Sequence, residues 1–258
     1  MRKILITAVT LTASQLANAW GDCDVERSLA TELDLDGVAE IEIRAVAGDL
    51  TIRGARDGGP LLASGLACVP NKYADQLEDI GIDQVRDGAR LTVVAVVPEA
   101  RFNDSLIGTL DLSITLPDNL PLRVFDSSGP IDIRDVGPLT LRDSSGSVEI
   151  ENVNGDVNIP RDSSGELRIR NAGHVRIEQD SSGALIIEDV LSVWIGKDSS
   201  GSIRARNVVG DVYVGKDSSG DIVAIDVGGN LEVLSDGSGD IVRRNVAGTV
   251  RIPRDKLD

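Results

Sequence analysis

Seven aspartates recur in one tetrapeptide, and a column of carboxylates is the first place in this chain to look for chemistry. Asp-Ser-Ser-Gly begins at Asp126, Asp143, Asp162, Asp180, Asp198 and Asp217 and returns as Asp-Gly-Ser-Gly at Asp236, at spacings of 17, 19, 18, 18, 19 and 19 residues. Repeated carboxylates could hold metal ions, do acid–base work, or cap corners by accepting backbone N–H groups one or two residues on. The calcium-binding β-roll needs Gly-Gly-x-Gly-x-Asp at its corners. Here one corner reads Asp-Ser-Ser-Gly and the other Asn-Val-x-Gly, so corner capping is expected and no metal site is assigned. A column of ionised carboxylates would repel itself; Arg142, Arg161, Lys197 and Lys216, each just before a motif Asp, are placed to neutralise it in part.

Other reactive groups are few. The single histidine, His174, sits in the turn Ala172-Gly-His-Val175 and is expected to face solvent, with no Ser-His-Asp motif around it. Clustered acids on parallel β-helices can cleave polysaccharides, but the acids here are periodic, as corner chemistry makes them. No catalytic residue and no cofactor are therefore assigned, and a carbohydrate-active enzyme is the alternative to a binding or scaffold module. Cys23 and Cys68 are the only cysteines; in an exported chain two cysteines most simply form one disulfide.

The elements that position these groups follow from the period. Seventeen to nineteen residues are too few for a helical hairpin and fit one coil of a β-solenoid. An Asn or Asp lies nine residues after every motif Asp: Asp135, Asn152, Asn171, Asp189, Asn207, Asp226 and Asn245. Apolar residues alternate on both sides of it, as in Val148 and Ile150 before and Val157 and Ile159 after, which is the mark of short strands with one buried face. Each coil thus supplies two strands, a fixed corner (Asp-Ser-Ser-Gly) and a corner of variable length (Asn-Val-x-Gly). Stacked in parallel at about 4.8 Å, seven repeats give a rod on the order of 35 Å long.

Stacking brings equivalent side chains side by side. The outward place in the second strand runs Thr140, Asn158, Arg176, Trp194, Tyr213, Glu232, Arg251, so Trp194 and Tyr213 fall on adjacent coils with Arg176 as the next rung. Such a pair either binds a sugar ring or protein anchor or merely shields the sheet. Ile186, Val223, Ile225 and Val242 form a second outward set on the first strand, which could be a partner surface or the sign of a flipped register.

The ends differ. Arg2 and Lys3, the apolar run Ile4–Ala13 and Ala17-Asn-Ala19 read as a cleaved secretory signal at residues 1–19. Its removal takes the net charge from −16 to −18, a balance that opposes nucleic acid and anionic lipid. The apolar run is too short to span a bilayer as a lasting anchor, and no second hydrophobic segment follows it. Residues 20–120 read as an N-terminal β-rich region. It holds a first half-coil at 38–54, with Ala45 in the Asn place, then strands at 61–68 and 110–116, a helical turn or two at 72–79, and a hairpin about Asp87-Gly88. This region is expected to cap the solenoid of residues 121–258, because a bare coil end exposes strand edges and core. Arg243 occupies a core place in the last coil, so that coil is either half open to water or has turned its strand over.

The repeated Ser-Gly-x-hydrophobic-x-hydrophobic-x-Asn-Val-x-Gly-Asp-Val, the signal segment and Leu-Pro-Asp-Asn-Leu-Pro-Leu at 116–122 resemble the bacterial envelope family of β-strand-repeat domains of unknown function labelled "putative adhesin". The resemblance covers roughly residues 38–258. It implies an all-β, right-handed parallel β-helix-like solenoid and an extracytoplasmic location, which the signal segment narrows to periplasmic or extracellular. As a binding or scaffold module the chain is expected to take an envelope protein or glycan as partner, and oligomers through the coil ends or a face are compatible with it. The resemblance brings no catalytic residues.

Overall fold

The computed structural model describes residues 23–56, 58–100 and 105–256; the signal segment expected at 1–19 lies outside them. The chain runs β1 (Val25–Leu33), β2 (Glu40–Arg44), β3 (Leu50–Ala55), β4 (Leu61–Val69), a 3-10 helix (Asn71–Asp79), β5 (Gly81–Asp87), β6 (Arg90–Val96) and β7 (Thr109–Pro117). The repeats follow as β8 (Leu122–Phe125), β9 (Ile131–Arg134), β10 (Leu139–Arg142), β11 (Val148–Glu151), β12 (Val157–Arg161), β13 (Leu167–Gln179), β14 (Leu185–Asp198), β15 (Ile203–Val208), β16 (Val212–Asp217), β17 (Ile222–Val227), β18 (Leu231–Val233), β19 (Ile241–Val246) and β20 (Val250–Arg251). β13 and β14 are long because they pass through the variable corner without a break.

The strands build a flattened solenoid with two parallel faces. One face stacks β3, β9, β11, the first half of β13, the first half of β14, β15, β17 and β19. The other stacks β2, β8, β10, β12, the second halves of β13 and β14, β16, β18 and β20. Alternation puts one residue in two between the faces. Ile133, Ile150, Ile169 and Ile187 form one fully buried column, and Leu139, Val157, Val175 and Val193 another. Each such side chain contributes roughly 1.5–3 kcal/mol of burial, which suffices without large aromatic residues.

The segment 40–55 is itself a layer of the stack. β2 and β3 pair in parallel with β8 and β9 on one side and with β6 and β7 on the other. The chain leaves this layer, runs back through antiparallel β4 and β5, adds β6 and β7 outside it, and crosses over to resume at β8. β1 closes the outer edge by pairing antiparallel along all of β4, and the Cys23–Cys68 disulfide ties its start to that strand.

At the opposite end the strand keeps its register: Ala224 faces Arg243 and Ile222 faces Ile241. Arg243 is therefore in the core column but exposed, and the last coil is open to water rather than turned over.

Candidate functional site

The two corners place different chemistry. At the variable corner, Asp135, Asn152, Asn171, Asp189, Asn207, Asp226 and Asn245 all have φ between +53° and +59°. Asn and Asp enter this left-handed region more readily than other side-chain-bearing residues. Their side chains do not bond the local backbone. They run up the rod: Asn152 Nδ2 donates to Asp135 Oδ1, Asn171 to Asn152, Asn207 to Asp189 and Asn245 to Asp226, at 2.7–2.9 Å.

Beyond that corner the aromatic residues meet. Trp194 faces Tyr213 across adjacent strands, their rings stacked at 5.7 Å between centroids and 7° between planes. The Arg176 guanidinium carbon lies 3.6 Å from the Trp194 ring centre on the preceding coil. Both faces of the indole are thus occupied, one by Arg176 and one by Tyr213, and the phenol keeps one face free towards Glu232. Gly196 leaves the room that the Trp194 ring fills, since a Cβ there would press on the indole.

The free side of this stack opens on a groove of about 620 Å³ lined by Trp194, Tyr213, Asp211, Asn230, Glu232 and Arg251 among others. Arg251 and Glu232 approach to 3.8 Å. Asp211 is held by the backbone and side-chain N–H groups of Asn230. His174, exposed as expected, reaches the rim, where its Nδ1 lies 2.7 Å from Ser192 Oγ. The two residues face each other across the stacked β13 and β14, at the same offset that brings Arg176 to Trp194. Their contact is not a catalytic triad: Asp156 accepts the backbone N–H of His174 and does not orient the ring.

At the fixed corner the aspartates turn inward. All seven motif carboxyls are buried, with Asp180, Asp198 and Asp217 at 0% exposure. Asp143, Asp162 and Asp180 accept the N–H of the next residue at 2.7–2.8 Å, so the corner-capping expectation describes one oxygen. The second oxygen of each has no hydrogen-bond partner. Burial, aided by the carboxylate of Asp143, pushes Asp126 up to about 7. Burial likewise lifts Asp143, Asp162 and Asp217 to about 6, and raises Asp180 and Asp198.

The expected neutralisation by Arg142, Arg161, Lys197 and Lys216 does not occur. These side chains are exposed on the other side of the strand, and none pairs with a motif Asp. The ion pair found on the column is at its end, where Lys256 Nζ lies 3.0 Å from Asp236 Oδ2. The outward apolar set is also broken up: Arg204 separates Ile186 from Val223 in the register, and Ile225 is itself buried. Among the described residues no group of three or more His, Cys, Asp or Glu side chains is arranged to hold a metal ion.

Among known proteins, no family model matches the chain and no curated protein does. It is similar to a "putative adhesin" from Bacteroides fragilis at 12% identity and TM-score 0.40, over 88% of this chain and 96% of the other. It is similar to a "putative cell adhesion protein" from Clostridium sporogenes at 11% and 0.37, over 88% and 99%. A "putative lipid binding protein" from Parabacteroides distasonis matches at 14% and 0.40, over 87% and 96%. Likenesses this distant bring no residue-by-residue correspondence to the groove.

Proposed function

We propose that the chain is an exported, non-enzymatic binding module of the bacterial cell envelope, periplasmic or extracellular, whose recognition face is the Arg176–Trp194–Tyr213 stack with the groove beside it. The observation that carries this reading is the in-register meeting of Trp194 and Tyr213 in a chain with only two Trp, two Tyr and two Phe. The free face of Tyr213, with Asp211, Asn230, Glu232 and Arg251 on the rim, combines an apolar plate with hydrogen-bonding groups. That combination suits a sugar ring of an envelope glycan, or a protein anchor of similar shape. The disulfide fits an oxidising compartment.

The test is a titration of the processed chain against soluble envelope oligosaccharides, with the Trp194→Ala/Tyr213→Ala double variant beside wild type. At least tenfold weaker binding with a melting temperature within about 5 °C of wild type is expected, because removing half-exposed rings opens no core cavity. Unchanged binding refutes the face. A large fall in melting temperature with binding intact assigns the pair to packing.

A further inference from the structure

The two ends of the rod are complementary, and we propose that copies of this chain associate head to tail, the open C-terminal coil of one seated on the N-terminal cap of the next. This goes beyond the groove, with which it shares only Arg251 and the buried Leu231 beneath it.

Among the described residues nothing covers the C-terminal end: β19 pairs only with β17 and β20 only with β18, so each has an open backbone edge. The core beneath is uncovered too. Ile222, Val227, Leu231 and Val233 are at most 3% exposed in the preceding coil, whereas Ile241, Val246, Val250 and Ile252 are only half-buried. Solenoid ends of this kind require a cover.

Charge identifies it. Residues 241–254 contain Arg243, Arg244, Arg251 and Arg254 and no acid, in a chain of net charge −16. The N-terminal end is the reverse. Its outermost segments, 24–36 and 71–87, carry ten acidic against three basic residues. Of those three, Arg27 is turned onto the Leu77 and Glu78 carbonyls.

The backbone edges also fit. β1 is antiparallel to β4 and β4 to β7, so β1 runs in the direction of β19; β5 runs opposite to β6 and hence to β20. A second copy placed on the rod axis would extend one face by parallel pairing of β19 with β1 and the other by antiparallel pairing of β20 with β5. Contact of two C-terminal ends would instead bring two arginine clusters together. Because the two surfaces lie at opposite ends of one stack, the association is heterologous and grows as an open filament rather than a closed ring.

Sedimentation equilibrium of the processed chain over a concentration series at low salt tests this. Wild type should gain mass with concentration and lose it in salt, as screening of exposed charges requires. Arg243→Glu/Arg244→Glu and Asp83→Lys/Asp87→Lys should each be monomeric alone, and their mixture should recover dimers. Melting curves of the variants show whether each is folded; Arg254→Glu, on the terminal 3-10 turn, replaces the first pair if it is not. A wild type that stays monomeric up to roughly 1 mM, where only about 4 kcal/mol of association would show, overturns the proposal. So does unchanged assembly of the variants, or a mixture that stays monomeric. Binding of wild type to phosphatidylglycerol vesicles without self-association overturns it in favour of a lipid surface. Glycan binding by the groove is a separate readout that the Asp83 and Asp87 changes leave alone.

Discussion

Aspartate occupies both corners of the coil and behaves differently at each. At the variable corner Asp135, Asp189 and Asp226 stand in water in a left-handed backbone conformation and accept an amide N–H from the next coil's Asn. At the fixed corner seven aspartates point between the faces, each bringing a carboxyl oxygen with no partner into the interior. The outer column solves stacking by alternating donors and acceptors: every hydrogen-bonded run begins with an acceptor-only Asp and continues with Asn. Among the described residues no donor side chain pairs with the inner column before Lys256, and burial raises the affinity of its carboxyls for protons. Burial and the presence of Asn donors together decide whether an Asp joins a hydrogen-bond ladder or a column of carboxyls with raised proton affinity.

The largest effect should come from the backbone that makes the inner column possible. Gly201 has φ +133°, and a Cβ there would collide with the Gly183 carbonyl oxygen of the preceding coil. Its N–H meanwhile donates to the Ser219 carbonyl of the next. Gly201→Ala therefore combines overpacking with backbone strain, about 4 kcal/mol together, and should lower the melting temperature by roughly 12 °C. A loss below about 2 °C would mean that the coils are not held at backbone contact on this corner.

Protonation of the inner column comes next. Asp143, near 3.8 when unfolded, stands at about 6 when folded. A carboxyl whose folded value is raised binds its proton more tightly in the native state. Its contribution is complete below the unfolded value and is lost as pH rises through the folded value. Each such rung is worth up to ~3 kcal/mol across that window, and sharing of protons along the column makes the sum smaller than the parts. The melting temperature should fall by about 10 °C from pH 5 to pH 8, opposite to ordinary acid denaturation. Asp180→Asn/Asp217→Asn removes two titrating rungs and should flatten the profile. Stability that rises over this pH range would show that the column is ionised and balanced by something other than protons.

How much of this was legible depends on the spacing between core residue and corner. Period and alternation disclosed the coil, both corners and the Arg176–Trp194–Tyr213 row, because stacking in register follows from a near-constant repeat. The burial of the motif Asp was not. Val124 and Asp126, or Leu141 and Asp143, are two apart, and strict alternation already points those aspartates inward. Ile177 and Asp180, Ile195 and Asp198, and Val214 and Asp217 are three apart, so alternation points them out. One extra residue is absorbed at the strand end, as the register shift between β10 and β12 shows. That slip buries the Asp and turns the preceding Lys or Arg to solvent. The open last coil was half legible: Arg243 announced it, but only the pairing with Ala224 excluded a turned strand. The repeat already placed His174 opposite Ser192, since their turns are of equal length and pair at a constant offset of 18; only the side-chain orientation that brings Nδ1 to Oγ had no signal.

The smallest effect separates the two demands made on the outer column. Asn171 must adopt φ +55° and must also donate to Asn152 Oδ1 at 2.8 Å. Asn171→Ala loses both: the left-handed conformation costs an ordinary residue about 1 kcal/mol, and the exposed hydrogen bond is worth about 0.5 kcal/mol more. Asn171→Gly loses the bond but adopts the conformation freely, at the price of a more flexible unfolded chain. Alanine should therefore lower the melting temperature by about 3–5 °C and glycine by no more than half of that. Equal losses would mean that the side-chain ladder, not the backbone conformation, selects Asn and Asp at this corner. A loss for either variant as large as that of Gly201→Ala would erase the difference between the corners, because it would make the exposed column as necessary to stacking as the buried one.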